Sequence, residues 1–120
     1  MSDRINWLRT VYEDGRHNAF TDIKLFKGRF YVTFRSGEGH GSFDGTIRGL
    51  ASDDLESWEQ AGHLTTVLDD RDPKLAIRDD VLYVIAQCRT PPTPGGEMPS
   101  RVQSQIWSTP DGANWSNAVV

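Results

Sequence analysis

The sequence is poor in the residues that build disulfides and metal sites. Cys88 is the only cysteine among 120 residues, which excludes an internal disulfide and a zinc site of several thiolates and leaves the cellular compartment undetermined. The three histidines, His17, His40 and His63, form no HxxxH or HxH pair, so no metal site is predicted. We therefore expect a protein without a metal or another cofactor.

Long hydrophobic runs are absent as well. No stretch of ten uncharged apolar residues occurs, and residues 1–10 are charged where a signal peptide would have an apolar core. We expect a soluble chain without a membrane partner and, in this sequence, without a signal peptide or transmembrane segment. The 13 basic and 17 acidic side chains leave a net charge of -4, which is the wrong sign for a nucleic-acid-binding surface. No nucleic-acid partner is expected.

The residues that are present favour short strands. Runs rich in β-branched and aromatic side chains alternate with Gly, Asp, Pro and Ser, which is typical of an all-β fold. Residues 20–26 and 29–35 are predicted to form a hairpin around the turn Lys27-Gly28. The remaining predicted strands are 46–52, 58–66, 73–77, 81–88, 102–108 and 115–120. The pattern predicts two antiparallel sheets of four strands each.

The second group of four strands repeats the first. An offset of 52 residues places Tyr31 on Tyr83 and Val32 on Val84, and after a longer loop an offset of 57 places Trp58 on Trp115. A repeat of just over 50 residues with four strands is typical of a β-propeller blade. We therefore divide the chain into blade 1 at 17–66, blade 2 at 67–120, and an N-terminal segment 1–16. Since Asp3 precedes Trp7 as Asp54 precedes Trp58, that segment is interpreted as the last strand of a preceding blade.

Two segments share the pattern Ser/Thr-x-Asp-x-x-x-Trp, at residues 52–58 (SDDLESW) and 109–115 (TPDGANW). An Asp in such a turn accepts hydrogen bonds from backbone amides, and the Trp packs between repeats. The first copy has Leu55 where the second has a glycine. The residues that we assign to this structural pattern are Ser52, Asp54, Trp58, Thr109, Asp111, Gly112 and Trp115.

These segments resemble the Asp-box, or BNR repeat, of sialidase-type β-propellers. Residues 17–22 (HNAFTD), 34–35 (FR), 71–75 (RDPKL) and His40 are similar to the opening blades of bacterial sialidase-like proteins. The resemblance covers about residues 17–120 and implies the first two blades of such a propeller. It implies exo-sialidase-type glycoside hydrolase activity for a complete propeller, with a Tyr/Glu nucleophile pair from later blades that this sequence does not contain.

Antiparallel geometry brings one set of polar residues to a single rim, because first strands begin and second strands end there. Arginine pairs carboxylates in a bidentate fashion, which suits an acidic sugar. By position and by the resemblance, Asp44 is the candidate general acid, and Asp72 is a second candidate catalytic carboxyl, since a glycosidase needs two such groups. The candidate substrate-binding residues are Asp22, Arg35, His40, Arg71 and Arg89.

Simpler interpretations stay open for these residues. The segment 69–72 also fits a charged turn, Arg35 a rim ion pair, His40 a solvated loop residue, and Asp44 a residue of an Asp-Gly turn. Cys88 ends an apolar strand and is expected to be a buried thiol.

Three functions remain possible at this point. They are an active sialidase-type enzyme as part of a complete propeller, a sugar-binding unit with little or no activity by itself, and a natural or engineered fragment whose main property is self-assembly. Two blades cannot close a ring of the usual four to eight. Since three chains would supply six blades, a homotrimer is the favoured assembly.

Overall fold

The computed structural model describes residue 5 and residues 7–96 and 99–120. Its seven strands are β1 (His17–Phe26), β2 (Arg29–Gly37), β3 (Thr46–Ser52), β4 (Glu59–Leu64), β5 (Asp69–Arg78), β6 (Val81–Arg89) and β7 (Val102–Thr109). They form one sheet in the order β1-β2-β3-β4 and a second in the order β5-β6-β7, with all neighbours antiparallel. The predicted all-β fold with two antiparallel sheets is confirmed. Within the described ranges, no helix is long and apolar enough to cross a membrane.

The second sheet has three strands where four were predicted. In place of a strand at 115–120, only Val119 forms a bridge, to Ile106 of β7. Earlier in the segment the Ser116 hydroxyl accepts the Ser108 N–H at 2.9 Å, so that a side chain occupies the place of a backbone acceptor. The segment still lies along β7 through backbone hydrogen bonds at Ser116 and Val119, but it does not form the continuous ladder that was predicted.

The N-terminal segment contains no strand where the structure describes it. Residues 7–14 pair with no strand of this chain, and their interpretation as the last strand of a preceding blade stays a prediction. Tyr12 packs its ring on Phe34 of β2, with 5.0 Å between the ring centroids, and Arg9 pairs with Glu56 at 3.2 Å. The segment therefore contacts the first sheet through side chains. Asp3, on which the proposed repeat depended, lies outside the described residues.

The two hairpin turns confirm the 52-residue offset in backbone geometry. Lys27 and Gly28 have φ values of 49° and 80°, and the equivalent Asp79 and Asp80 have 51° and 60°. Positive φ at both central residues defines the type I′ turn, whose twist matches that of antiparallel strands. The predicted turns at 27–28 and 78–80 therefore form equivalent corners of the two sheets.

A β-bulge repeats at the same offset. The register shifts between Ala19 and Asp22 in β1 and between Arg71 and Lys74 in β5. Phe20 (φ 62°) and Asp72 (φ 46°) carry the left-handed backbone of the two bulges. Beyond each bulge the strand continues toward the rim, so β1 and β5 begin three and four residues earlier than the predicted 20 and 73.

The main core lies between the two sheets. All seven strands contribute side chains to it, and Cys88 is a buried free thiol in this core, as predicted, with burial raising its pKa. The core residues are Phe26, Tyr31, Ile47, Ala51, Leu64, Leu75, Leu82, Val84, Ala86, Cys88 and Trp107. A smaller cluster of Val32, Phe34 and Leu50 covers the other face of the first sheet, where Tyr12 and Trp58 pack against it. Face-to-face packing of sheets in chain order is the arrangement of adjacent propeller blades.

Candidate functional site

A buried carboxylate, that of Asp69, lies at the rim where β5 begins. Its Oδ1 accepts hydrogen bonds from Arg35 Nη2 at 3.0 Å and from the Gly45 N–H at 3.0 Å. Its Oδ2 accepts Arg89 Nε at 2.7 Å and lies 3.6 Å from Arg71 Nη1. Both Asp69 and Arg35 have fully buried side chains. One carboxylate thus organises three guanidinium groups that come from β2, β5 and β6.

The same three arginines fix the loop between β2 and β3, residues 38–45, which we call the rim loop. Arg35 donates from Nη1 to the Gly39 carbonyl at 3.0 Å and from Nη2 to the Ser42 carbonyl at 2.8 Å. Arg89 Nη2 reaches the Ser42 carbonyl at 3.2 Å. Further carbonyls bound by these arginines are those of His40, by Arg71, and Gly41, by Arg89. A Gly-rich loop without regular structure is therefore held in one conformation by charged donors.

The charges of this cluster do not cancel. Burial acts to raise the pKa of Asp69, but the hydrogen bonds from Arg89 and Arg35 outweigh it and hold that pKa below its ordinary value. The pKa of Arg71 is lowered, chiefly by burial and then by the neighbouring charge of Arg35. Asp69 is therefore a carboxylate at neutral pH, and three cations surround it.

Asp44, the candidate general acid, lies in the rim loop as an ionised group. Its carboxylate accepts the Ser42 hydroxyl, the Glu38 N–H at 3.1 Å and Arg16 Nη2 at 3.0 Å. The Ser42 hydrogen bond is the largest influence, and together these contacts lower the pKa of Asp44 to about 2. A general acid must hold a proton at the working pH. Asp44 in this environment has instead the protonation state of a base or of a carboxylate that binds a cation or hydroxyl group.

The other two predicted carboxyls have local structural partners. Asp22 Oδ2 accepts the Leu75 N–H at 2.8 Å, which links β1 to β5 across the two sheets. Asp72, with its left-handed backbone in the bulge of β5, pairs with Lys74 at 2.9 Å and is about half exposed. Asp22 therefore stabilises the contact between the sheets, whereas Asp72 is open to solvent.

Aromatic rings surround the arginines at the rim. The ring centroid of His40 lies 5.6 Å from that of His17 and 5.5 Å from that of Phe20. The Phe43 ring stacks on the Arg89 guanidinium, with 4.1 Å between the ring centroid and the guanidinium carbon. Phe43 is 39% exposed. The rim thus combines cations, hydroxyl groups and aromatic faces.

The structure brings most of the predicted rim residues together and adds one that was missed. Arg35, Arg71 and Arg89 meet, but Arg35 was expected to face a ligand and is instead fully buried. Its guanidinium is saturated by Asp69 and by rim-loop carbonyls, so it supports the loop. Asp69 had been interpreted only as part of a charged turn. The available signal was that three arginines at the ends of neighbouring strands need a buried counter-charge.

The two Ser/Thr-x-Asp turns lie at the opposite rim and have equivalent hydrogen bonds. Asp54 Oδ1 accepts the N–H groups of Glu56 and Ser57 at 2.9 Å each, and Asp111 Oδ1 accepts those of Ala113 and Asn114 at 2.9 and 2.8 Å. These backbone donors lower the pKa of both carboxyls. Leu55 has φ 65° and the equivalent Gly112 has φ 81°, so leucine adopts the backbone of the missing glycine.

Comparison with known proteins identifies the class of fold. Similar solved structures include the GH43_1 enzyme from Xanthomonas citri with xylotriose, at TM-score 0.66 and 13% identity over 88% of this chain and 32% of that one. Another is CoXyl43, a β-xylosidase/α-arabinofuranosidase from a compost microbial metagenome, at TM-score 0.61 and 12% identity over 83% of this chain and 33% of that one. No protein-family model and no curated protein matches the chain significantly.

These structures are glycoside hydrolases with a five-bladed β-propeller fold. The chain therefore has the fold of a β-propeller portion, and it spans about a third of the length of these enzymes. The predicted propeller architecture is confirmed, whereas the sialidase type stays a prediction.

Proposed function

We propose that the chain forms two blades of a carbohydrate-binding β-propeller, and that the rim of Arg71, Arg89 and the rim loop is its sugar-binding surface. The observation that carries this proposal is the cluster of three guanidinium groups around one buried carboxylate. Xanthomonas citri GH43_1 was crystallised with xylose and with xylotriose, which favours a sugar as the class of ligand.

An acidic sugar fits the charge of this rim. Arg71 and Arg89 retain 16% and 24% side-chain exposure, whereas Arg35 is buried. A ligand carboxylate would bind the two partly exposed cations and offset charge that Asp69 alone does not neutralise. This is the ligand that the sialidase-like resemblance implies. A neutral pentose oligosaccharide, as in the GH43 structures, is the alternative.

Catalysis by this chain alone is expected to be weak or absent. A glycosidase needs a protonated carboxyl and a second nucleophilic or basic group. Asp44 is ionised, and Asp72 is an exposed carboxylate paired with Lys74. Either residue can contribute to a complete site, as a base or as a ligand for hydroxyl groups. The proposed property of the 120-residue chain is therefore binding.

The binding proposal predicts a specific effect of Arg71→Ala. The chain is titrated with N-acetylneuraminic acid and with xylotriose, and amide shifts are followed by NMR; the Kd is expected on the order of 1 mM. Arg71→Ala is expected to weaken binding of the acidic sugar about tenfold, because a charge-assisted hydrogen bond is lost.

Arg78→Ala is the matched control, since Arg78 lies at the opposite end of the same strand and is largely exposed. The affinity of Arg78→Ala for the two sugars should equal that of the wild type. An unchanged affinity in Arg71→Ala would remove Arg71 from the site. Rapid turnover of aryl sialosides or xylosides that is abolished by Asp44→Asn would contradict the expectation that the chain alone has weak or no activity.

Assembly is a second proposed property, and the tryptophans support it. Trp115 Nε1 donates to the Ala61 carbonyl at 2.8 Å, which joins blade 2 to blade 1. Trp58 is equivalent to Trp115 at the offset of 57, but its Nε1 is buried and has no hydrogen-bond partner in the described part of the chain. We infer that Trp58 lies where another blade packs once the N-terminal segment, which contacts this face through Tyr12, has moved aside, and that a second copy of this chain supplies that blade through Ala118, the equivalent of Ala61.

The faces of the two blades are matched for this contact. In blade 2, Val84 packs between the sheets, whereas its blade 1 equivalent, Val32, lies on the outer face. The neighbouring tyrosines are reversed: Tyr31 of blade 1 lies between the sheets, and its equivalent Tyr83 faces outward from blade 2. Blade 2 therefore presents outward the face by which blade 1 contacts its neighbour. The contact within the chain and the proposed contact between chains differ at Leu55. Its equivalent within the chain, Gly112, lies against Tyr31 with no room for a side chain. Association is therefore expected to be weaker than the contact within the chain.

Light scattering coupled to size exclusion measures this association. A homotrimer of the 13.5 kDa chain would appear at about 40 kDa and would supply six blades. Leu55→Gly is expected to shift the population toward the assembled state, and Trp58→Phe, which keeps the ring but removes the N–H, toward the monomer. A monomer at all concentrations for the wild type and for Leu55→Gly would overturn this proposal.

A further inference from the structure

The rim loop carries one exposed phenylalanine among small and polar residues. Phe43 is flanked by Ser42 and Asp44 and is 39% exposed. A single exposed apolar side chain is ordinary by itself. Phe43 is distinguished by its place on a fixed loop beside the arginines of the proposed sugar-binding rim, since binding residues are concentrated on loops held by a rigid scaffold.

The Phe43 ring stacks on a guanidinium that is itself fixed in place. Arg89 stacks under it at 4.1 Å, and Arg89 is itself fixed by Asp69 through Nε at 2.7 Å and by the Gly41 carbonyl at 3.0 Å. The ring therefore rests on a cation whose position is set by a buried carboxylate. Because the ring is ordered before any ligand arrives, binding to it costs little conformational entropy.

We propose that the face of Phe43 away from Arg89 stacks on the ring of a bound sugar. The C–H face of a pyranose is apolar and flat, and it packs on an aromatic ring, while its hydroxyl groups reach neighbouring polar groups. Asp44, which follows Phe43 directly, is held as a carboxylate that can accept such hydroxyl groups. This inference rests on the proposed function and adds to it a residue that recognises the sugar ring rather than its charge.

Stacking and charge recognition make different predictions for two probes. Arg71 is expected to matter mainly for the anionic N-acetylneuraminic acid. Phe43 should matter equally for that sugar and for neutral xylotriose, because both present a C–H face. A residue that acts only through loop stability would instead change the circular dichroism or the unfolding midpoint of the chain.

The experiment titrates the 120-residue chain and its variants with both sugars by NMR. Phe43→Ala is expected to weaken binding of each sugar about fivefold to tenfold, and Phe43→Trp to retain or improve it, since the larger ring offers more stacking area. Trp7→Ala is the matched control, because Trp7 is also an exposed ring beside an arginine, Arg9, but lies near the Asp54 turn at the opposite rim.

The outcomes test the stacking role of Phe43 separately from sugar binding at the rim. Loss of binding in Phe43→Ala, with binding kept in Phe43→Trp and Trp7→Ala, supports the stacking role. Binding by the wild type that Phe43→Ala leaves unchanged overturns the role of Phe43 and leaves the sugar-binding rim intact. Failure of the wild type to bind either sugar overturns the proposed function and the stacking role together.

Discussion

Asp69→Asn is expected to lower the free energy of unfolding by about 3–5 kcal/mol, the usual cost of removing one partner of a buried ion pair. Asparagine keeps the shape of the side chain but removes its charge, so Arg35 would be buried without an anion. Whichever way it is oriented, its NH2 would also face a donor, either Arg89 Nε at the Oδ2 position or the Gly45 N–H at the Oδ1 position. A urea titration followed by circular dichroism measures the change.

Asp72→Asn is the matched control for this variant. Asp72 lies three residues along the same strand and also has a cationic partner, but its carboxylate is about half exposed and, within the described residues, its ion pair is with Lys74. Exposed ion pairs contribute little, so a change below about 1 kcal/mol is expected. If the two variants lost similar stability, Asp69 would not be the organising residue of the rim.

The same residue predicts a pH dependence of stability. The pKa of Asp69 is lower in the folded chain than its ordinary value, so the carboxylate stabilises the fold above the unfolded pKa of about 3.9, and this contribution is lost as the pH falls through the folded pKa. Since Asp54 and Asp111 also have lowered pKa values, the informative quantity is the difference between the wild type and Asp69→Asn. That difference should shrink below about pH 4.

The fold was accessible from the sequence because its signals are local. Each hairpin depends on a turn of two residues, and each Ser/Thr-x-Asp turn depends on a side chain that accepts neighbouring amides. Repetition at fixed offsets then identifies blades without any knowledge of tertiary contacts. For residues 115–120 the prediction was only partly right. The segment lies along β7 through backbone hydrogen bonds at Ser116 and Val119, but the Ser116 hydroxyl accepts the Ser108 N–H and no continuous ladder forms.

The site was less accessible because its key contacts are not local. Asp69 opens a charged run at 69–72 that precedes Pro73, a pattern that is also typical of an exposed turn, and only the bulge at Asp72 extends the strand back to it. Its burial depends on Arg35, which lies 34 residues earlier in the chain. Likewise, the ionised state of Asp44 follows from contacts with Ser42 and Arg16, which composition and spacing do not indicate.

Gly112→Ala is expected to destabilise the chain by about 2–5 kcal/mol, through two separate costs. The backbone at Gly112 has φ 81°, where a Cβ costs roughly 1–2 kcal/mol. In addition, an added Cβ would lie 2.0 Å from Tyr31 Oη and 2.5 Å from Cζ, so the contact between the two blades would have to open, at a further cost of about 1–3 kcal/mol. Urea unfolding measures the sum of the two costs.

Gly28→Ala separates the two costs. Gly28 has nearly the same φ, 80°, but a methyl group added there would meet no atom within 4 Å, so only the backbone cost applies. Combining Gly112→Ala with Tyr31→Phe should recover part of the loss, because the hydroxyl is removed while the ring carbon stays in contact. If Gly112→Ala and Gly28→Ala were equally destabilising, the approach of Tyr31 would not be what requires glycine. The expectation that Leu55 weakens the proposed association between chains would then lose its basis.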